Sequence, residues 1–203
     1  MYKPSHFAMD ELADQHALIE ANHFGVLVAQ GDGGLLATHV PMMLKRDEGR
    51  LGTLYTHIAR VNAQARLEGR EMLAIFSGPH GYVSPSWFLE REINVPTWNY
   101  TAVHCRGVME ACPGPAIELL QSMVVAHERG RVGGWSMDEL DARARESLAA
   151  GVFALRMEIR HIEGICKLSQ NKPRVERERV IAGLKADGAH GVASLMQGNL
   201  DGI

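Results

Sequence analysis

Between residues 153 and 160 the chain alternates without a break: Phe153, Leu155, Met157 and Ile159 are interleaved with Ala154, Arg156, Glu158 and Arg160. Successive side chains of a strand point to opposite faces, so this run predicts a strand with one face against a core. The same grammar recurs upstream. Phe24 to Gln30 and Leu35 to Leu44 flank Gly31-Asp32-Gly33-Gly34, a turn whose glycines accept positive φ without steric cost, which predicts a hairpin. Arg46-Asp47-Glu48-Gly49 leads into a strand from Leu51 to His57, and Met72 to Ser77 and Val95 to Ala111 read as further extended runs. Helices interrupt this series irregularly. One opens at Asp10 and carries Leu12, Leu18 and Ile19; another runs from Ile58 to Glu68 and stops at Gly69. Pro113-Gly114-Pro115 opens a helix with Ile117, Leu120 and Val124 on one face, and Ser136 with Glu139 has capping-box spacing. Beyond Pro173 two short helices carry Val180, Ile181 and Leu184, then Val192, Leu195 and Met196, separated by Gly188. Strands and helices do not alternate regularly, so a mainly β fold is expected, an antiparallel barrel of at least six strands with added helices.

The chain has 203 residues, 46% hydrophobic and 22% charged, a balance that buries a core and excludes disorder as its main state. One domain over 1–203 is expected, with 172–203 as a helical C-terminal extension. The formal charge of −3 gives no global positive field to gather nucleic acid, so any DNA contact requires a local patch. Cys105, Cys112 and Cys166 are odd in number and widely spaced, which argues for a reducing compartment, the cytoplasm, and against a zinc ribbon. No run reaches the roughly 18 apolar residues of a membrane span, and Met1 to Asp10 lack a secretory core, so no membrane partner is expected.

Three clusters concentrate polar and aromatic residues beyond the needs of a core. In Thr56-His57-Ile58-Ala59-Arg60-Val61-Asn62 a strand end meets a helix start, where amides, a hydroxyl and an imidazole suit a phosphate; alternatively Thr56 simply caps the helix. The second combines Gly78 to Trp87 with Val95-Pro96-Thr97-Trp98-Asn99-Tyr100. Trp98, Asn99 and Tyr100 offer flat faces and an amide for a heterocycle; alternatively, alternation sends Trp98 and Tyr100 to the core and Thr97, Asn99 and Thr101 to the surface. The stretch from Gly78 to Pro96 reads as one long functional loop. In the third, Lys167, Ser169, Gln170 and Asn171 bring a charge, a hydroxyl and amides together for an anion; alternatively this is a polar loop with Asn171 as helix cap and Lys172 solvated. Ten histidines show no metal-ligand spacing, no nucleotide-binding glycine motif is present, and no catalytic dyad stands out.

Taken in order, these clusters resemble the PaiB-type family, described as FMN-binding negative transcriptional regulators. The resemblance starts at Met1-Tyr2-Lys3-Pro4-Ser5-His6-Phe7 and continues through Thr38-His39-Val40-Pro41 and Thr56 to Asn62. Its most specific parts are Gly78 to Trp87, Val95 to Tyr100 and Lys167-Leu168-Ser169-Gln170-Asn171, and it covers nearly the whole chain. Val61 and Ala63 depart from the family's alanine and proline, leaving Asn62 untouched. The resemblance implies a six-stranded split β-barrel of the pyridoxamine phosphate oxidase type, working as a homodimer with FMN at the interface. It assigns Thr56, His57, Asn62, Lys167 and Ser169 to the phosphate, and Trp98, Asn99, Tyr100, Gln170 and Asn171 to the ring and its edges. A regulator would take DNA as partner, for which the tail supplies Arg174, Arg177, Arg179 and Lys185, diluted by Glu176, Glu178 and Asp187. The alternatives are a flavin-dependent oxidoreductase, since the barrel is shared with enzymes, and a haem-binding protein using His39, His57, His80 or His104.

Overall fold

Every strand expected from the sequence is present in the structure, a computed structural model that describes residues 1–202. The strands are β1 (Ala8–Met9), β2 (Phe24–Gly31), β3 (Gly34–Lys45), β4 (Thr53–Ala59), β5 (Glu71–Val83), β6 (Thr97–Ala111), β7 (Val152–Glu158) and β8 (His161–Lys167). The helices are α1 (Leu12–Ala21), α2 (Ala116–Glu128), α3 (Ala142–Gly151), α4 (Arg174–Ala186) and α5 (His190–Asp201). One sheet holds the strands in the order β1-β8-β6-β5-β2-β3-β4-β7, with β6 also pairing with β7.

The expected six strands are therefore eight. The two additions left little pattern in the sequence: β1 is two residues long, and β8 is interrupted by Gly164. A Cβ on Gly164 would stand 3.0 Å from Met9 and 3.1 Å from Gln15, so the bare backbone is what lets β1 and α1 approach.

Two compact units divide the chain, and β5 and β6 pass through both. The first comprises Asn22–Phe76 and Cys105–Ile162. Its hairpin runs in register from Phe24 opposite Pro41 to Gly31 opposite Gly34, with Gly34 at φ 121°, a conformation costly for a side chain. Alternation buries Leu27, Met42, Leu54, Phe76, Leu155 and Met157. The expected helix from Ile58 is corrected here. Pairing of Ile58 with Phe153 and of Ala59 with Val152 prolongs β4 to Ala59, leaving only a short 3-10 turn, Ala63–Leu67. Ser136 and Glu139 do form a capping box, but on a three-residue 3-10 turn; α3 begins later, with Asp141 accepting from the Ala144 amide.

The second unit comprises Met1–Ala21, Ser77–His104 and the chain from Glu163 onward. Here α4 and α5 pack Val180, Ile181, Leu184, Val192 and Met196 over Val83, Phe88 and Leu168. Gly81 makes this close approach possible, since a Cβ there would lie 2.7 Å from Leu184 and 2.9 Å from Val192. The expected loop from Gly78 to Pro96 is shorter: β5 continues through Gly78-Pro79-His80-Gly81 to Val83, and irregular chain begins at Ser84. From 84 to 96 the backbone contains two single 3-10 turns, Pro85–Trp87 and Arg91–Ile93.

Gly107 offers a test of the first unit. A Cβ there would collide with the carbonyl oxygen of Glu158, a backbone atom that cannot rotate away. Gly107→Ala is expected to cost about 1–3 kcal/mol of unfolding free energy, read by urea denaturation; a wild-type midpoint would contradict this packing.

Candidate functional site

Asn99 sits near the start of β6 with no exposure, which an uncompensated carboxamide could not sustain. Its amide donates to Ser169 Oγ at 3.0 Å and to Met196 Sδ at 3.2 Å, and its carbonyl accepts from Ser169 Oγ at 3.2 Å. These bonds draw the turn after β8 onto β6. Ser169 has φ 61°, alone among the described non-glycine residues in the left-handed region, a conformation held by its surroundings.

Beside this pair lies a cavity of about 230 Å³, lined by Thr97 and Asn99 of β6, Lys167, Ser169, Asn171 and Lys172, Phe7, and Phe88 and Ile93 to Val95 from the irregular segment. Two lysines and no carboxylate line it. Lys167 Nζ donates to Thr97 Oγ1 and lies 5.8 Å from the Phe7 ring centroid, with no carboxylate partner among the described residues. Burial without a counter-charge lowers its pKa below the ordinary lysine value. Lys172 Nζ donates to Asn94 Oδ1 at 2.6 Å and sits 5.3 Å from the centroid of Phe88. The side chain of Asn171 is exposed at the rim. Such a lining suits an anion, met by an ammonium, hydroxyls and an amide.

The structure decides two of the alternatives left open by the third cluster. Pro173, not Asn171, is the N-cap of α4, and Lys172 is bonded rather than simply solvated. Gln170 turns away from this cavity. Its oxygen accepts from the Leu168 amide at 2.7 Å and its nitrogen donates to the Cys166 carbonyl, so both groups fasten the turn.

Trp98 and Tyr100 lie on the opposite face of β6, against the alternative in which alternation sends them to the core. Asn99 and Thr101 are buried instead, because α5 covers their face through Met196, whereas Trp98 is 53% exposed. Around Trp98 stand Tyr82, edge-on at 6.0 Å, and His80 at 6.2 Å, both from β5. Three aromatic rings thus share one exposed patch of the second unit.

Thr56, His57 and Asn62 belong to the first unit. Thr56 is fully buried within β4, not at a helix start, and donates to the Pro41 carbonyl at 2.7 Å. Asn62 caps the 3-10 turn by accepting from the Gln64 amide at 2.9 Å and also donates to Thr38 Oγ1 at 3.1 Å. His57 differs from both: its Nδ1 is buried with no hydrogen-bond partner among the described residues, and burial lowers its pKa. Among the cavity residues, sequence reasoning had not selected Phe7, Phe88, Asn94, Thr97 or Lys172. Thr97 and Lys172 flank residues that it had selected, and their adjacency was the available signal.

Residues 1–161 match the family model described as "Putative FMN-binding domain". The chain is 31% identical to "Protease synthase and sporulation protein PAI 2" of Bacillus subtilis (strain 168) over 206 residues, covering 98% of each protein. Among solved structures, its fold is similar to the flavocytochrome Anf3 from Azotobacter vinelandii, with a TM-score of 0.59 and 16% identity, covering 79% of this chain and 69% of that one. It is also similar to an FAD and heme binding protein from Mycobacterium smegmatis, with a TM-score of 0.57 and 17% identity over 87% of this chain and 80% of that one. A mainly β fold with added helices, a family match across most of the sequence and a relative aligned almost end to end agree: the chain belongs to the PaiB-type family.

Proposed function

We propose that this chain is an FMN-binding regulator of the PaiB type that works as a homodimer, with the FMN phosphate seated between Lys167, Thr97, Ser169 and Asn171. The observation that carries this reading is the lining of the cavity: two lysines, two hydroxyls and three asparagines, with no acidic side chain. A phosphate monoester carries about −1.5 to −2 charges at neutral pH and offers three strong acceptor oxygens, the complement of that donor set. It also supplies the counter-charge that Lys167 lacks within the described chain.

Trp98, Tyr82 and His80 lie on the sheet face opposite the cavity, so in the homodimer they would stack on the ring of a flavin whose phosphate is held by the other copy. Asn99 acts by holding Ser169, and Gln170 by fastening the turn, whereas Tyr100 shares the Trp98 face of β6. Of Thr56, His57 and Asn62, His57 is the one with a buried ring nitrogen left to bond, whereas Thr56 is bonded to the Pro41 carbonyl and Asn62 to Thr38. When bound, a flavin brings hydride- and electron-transfer chemistry with it. The side chains around the cavity bind and orient the phosphate.

The regulatory part of the reading rests on the family's description, with DNA as the partner it requires. Of the four basic residues of helix α4, the three arginines are engaged by neighbours and Lys185 is exposed. Arg174 pairs with Glu178 at 2.9 Å, Arg177 donates to Asn199 at 2.6 Å, and Arg179 donates to the Trp87 carbonyl at 2.6 Å. Gel-shift titration against upstream DNA, at several salt concentrations, tests this part directly. Bleaching of the flavin by reduced nicotinamide with sustained turnover would instead identify an oxidoreductase.

Lys167→Ala is expected to weaken FMN binding by about tenfold or more, the effect of deleting a charged partner of a phosphate, in a fluorescence-quenching titration. Trp98→Ala should weaken it by a few-fold through lost stacking. Wild-type affinity in both variants would remove the assignment.

Affinity should also depend on pH with a defined sign. Lys167 titrates below its ordinary value in the unliganded protein, and a bound dianion favours its charged form. FMN binding therefore weakens as pH rises through the lowered Lys167 pKa. The unliganded protein moves the other way over that window, gaining stability with pH because its unfolded chain binds the extra proton. Titrations from neutral pH up through the ordinary lysine range that show flat affinity would contradict the role of Lys167.

A further inference from the structure

One wall of the cavity has no framework of its own. Phe88, Ile93, Asn94 and Val95 line the cavity from the 84–96 segment, where the internal hydrogen bonds reach at most four residues along the chain: Trp87 to Ser84, Phe88 to Pro85, Asn94 to Arg91 and to Glu90. Lys172 holds its far end through Asn94 and stands over Phe88, and α4 fixes the part around Trp87 and Leu89. Both carboxylate oxygens of Glu176 accept from the Leu89 amide, at 3.2 and 3.3 Å. Arg179 Nε donates to the Trp87 carbonyl at 2.6 Å. One turn further, Gly183 leaves room for the Trp87 indole, which any Cβ there would overlap. Phe88 completes the seat by packing among Val180, Ile181 and Leu184.

We propose that α4 sets the ligand affinity of this cavity by holding its 84–96 wall, with Glu176, Arg179 and Gly183 as positioning residues. The proposal rests on the phosphate reading above and extends it from the residues that touch the ligand to the helix behind them. The three α4 residues grip Trp87 and Leu89, on either side of Phe88, so a shift of α4 moves the wall that faces Lys167 and Ser169. Coupling of this kind is reciprocal: a ligand that favours the seated wall favours the seated helix by the same factor, and a partner that displaces α4 lowers ligand affinity equally. Helix α4 thereby becomes the element through which occupancy of the cavity is read.

The test uses the full chain and FMN as probe. FMN is titrated by fluorescence quenching into the wild type, Lys167→Ala, Glu176→Gln, Arg179→Ala and Lys185→Ala, and amide hydrogen exchange is followed across 84–96 and α4 with and without saturating FMN. Glu176→Gln and Arg179→Ala should each weaken FMN about 3- to 10-fold, the range for losing one charge-assisted hydrogen bond, and Lys185→Ala should leave it within about twofold. FMN should slow exchange of the Leu89 amide in the wild type and in Lys185→Ala, but not in Glu176→Gln, a loss that a merely structural role would not produce. Wild-type affinity in Glu176→Gln and Arg179→Ala beside a weakened Lys167→Ala would overturn control by α4 while leaving the phosphate site standing. Wild-type affinity in Lys167→Ala would remove the phosphate site and this proposal together. Should the α4 variants fail to fold, the unaltered protein decides: exchange at Leu89 that FMN leaves unchanged overturns the proposal.

Discussion

The buried carboxamide of Asn99 is the interaction on which the second unit turns. An amide deprived of water costs roughly 1–3 kcal/mol when unbonded, so its partners are held in place by its burial. Those partners come from far along the chain: Ser169, 70 residues away, and Met196, 97 residues away. A single strand position thereby ties β6 to the turn after β8 and to α5. The left-handed conformation of Ser169 costs about 1–3 kcal/mol, and the paired bonds to Asn99 are what oppose that cost.

The same constraint explains why the cavity has its chemistry. With Ser169 fixed, Lys167 and Asn171 fall on either side of it, and the Lys167 ammonium meets a hydroxyl and an aromatic ring instead of a carboxylate. A hydroxyl and a ring partly replace water around a charge but do not neutralise it. The burial that lowers the Lys167 pKa is thus also what would make an arriving anion bind well there.

Much of the architecture was legible locally. The Gly31-to-Gly34 hairpin, the alternating run in β7 and the helix positions of the tail follow from period and turn chemistry. What failed to show depended on partners distant in sequence. Ile58 and Ala59 read as helix because nothing nearby announces Phe153 and Val152, whose pairing makes them strand. Gly78 to Gly81 read as loop because glycine and proline normally break strands, yet Gly81 is required where α4 and α5 press onto β5. The faces of β6 stayed open between two readings for the same reason: hydrophobicity favours burying Trp98, and the partners that bury Asn99 instead, Ser169 and Met196, are distant in sequence. At the site, the cluster around Lys167 was recognisable as polar and crowded, whereas its contacts with Phe7, Thr97 and the 84–96 segment are tertiary and left no local trace.

A cavity that collects lysines without acids has a consequence for the lifetime of the protein. A Lys167 ammonium buried without a counter-charge disfavours the folded chain, and any anion bound there offsets that cost by mass action. The fraction of molecules transiently open to proteases then falls as ligand accumulates, and a change of one or two kcal/mol shifts steady-state abundance several-fold. Cells rich in the ligand would hold more of this protein at the same rate of synthesis, so its amount, and not only its conformation, would report on supply.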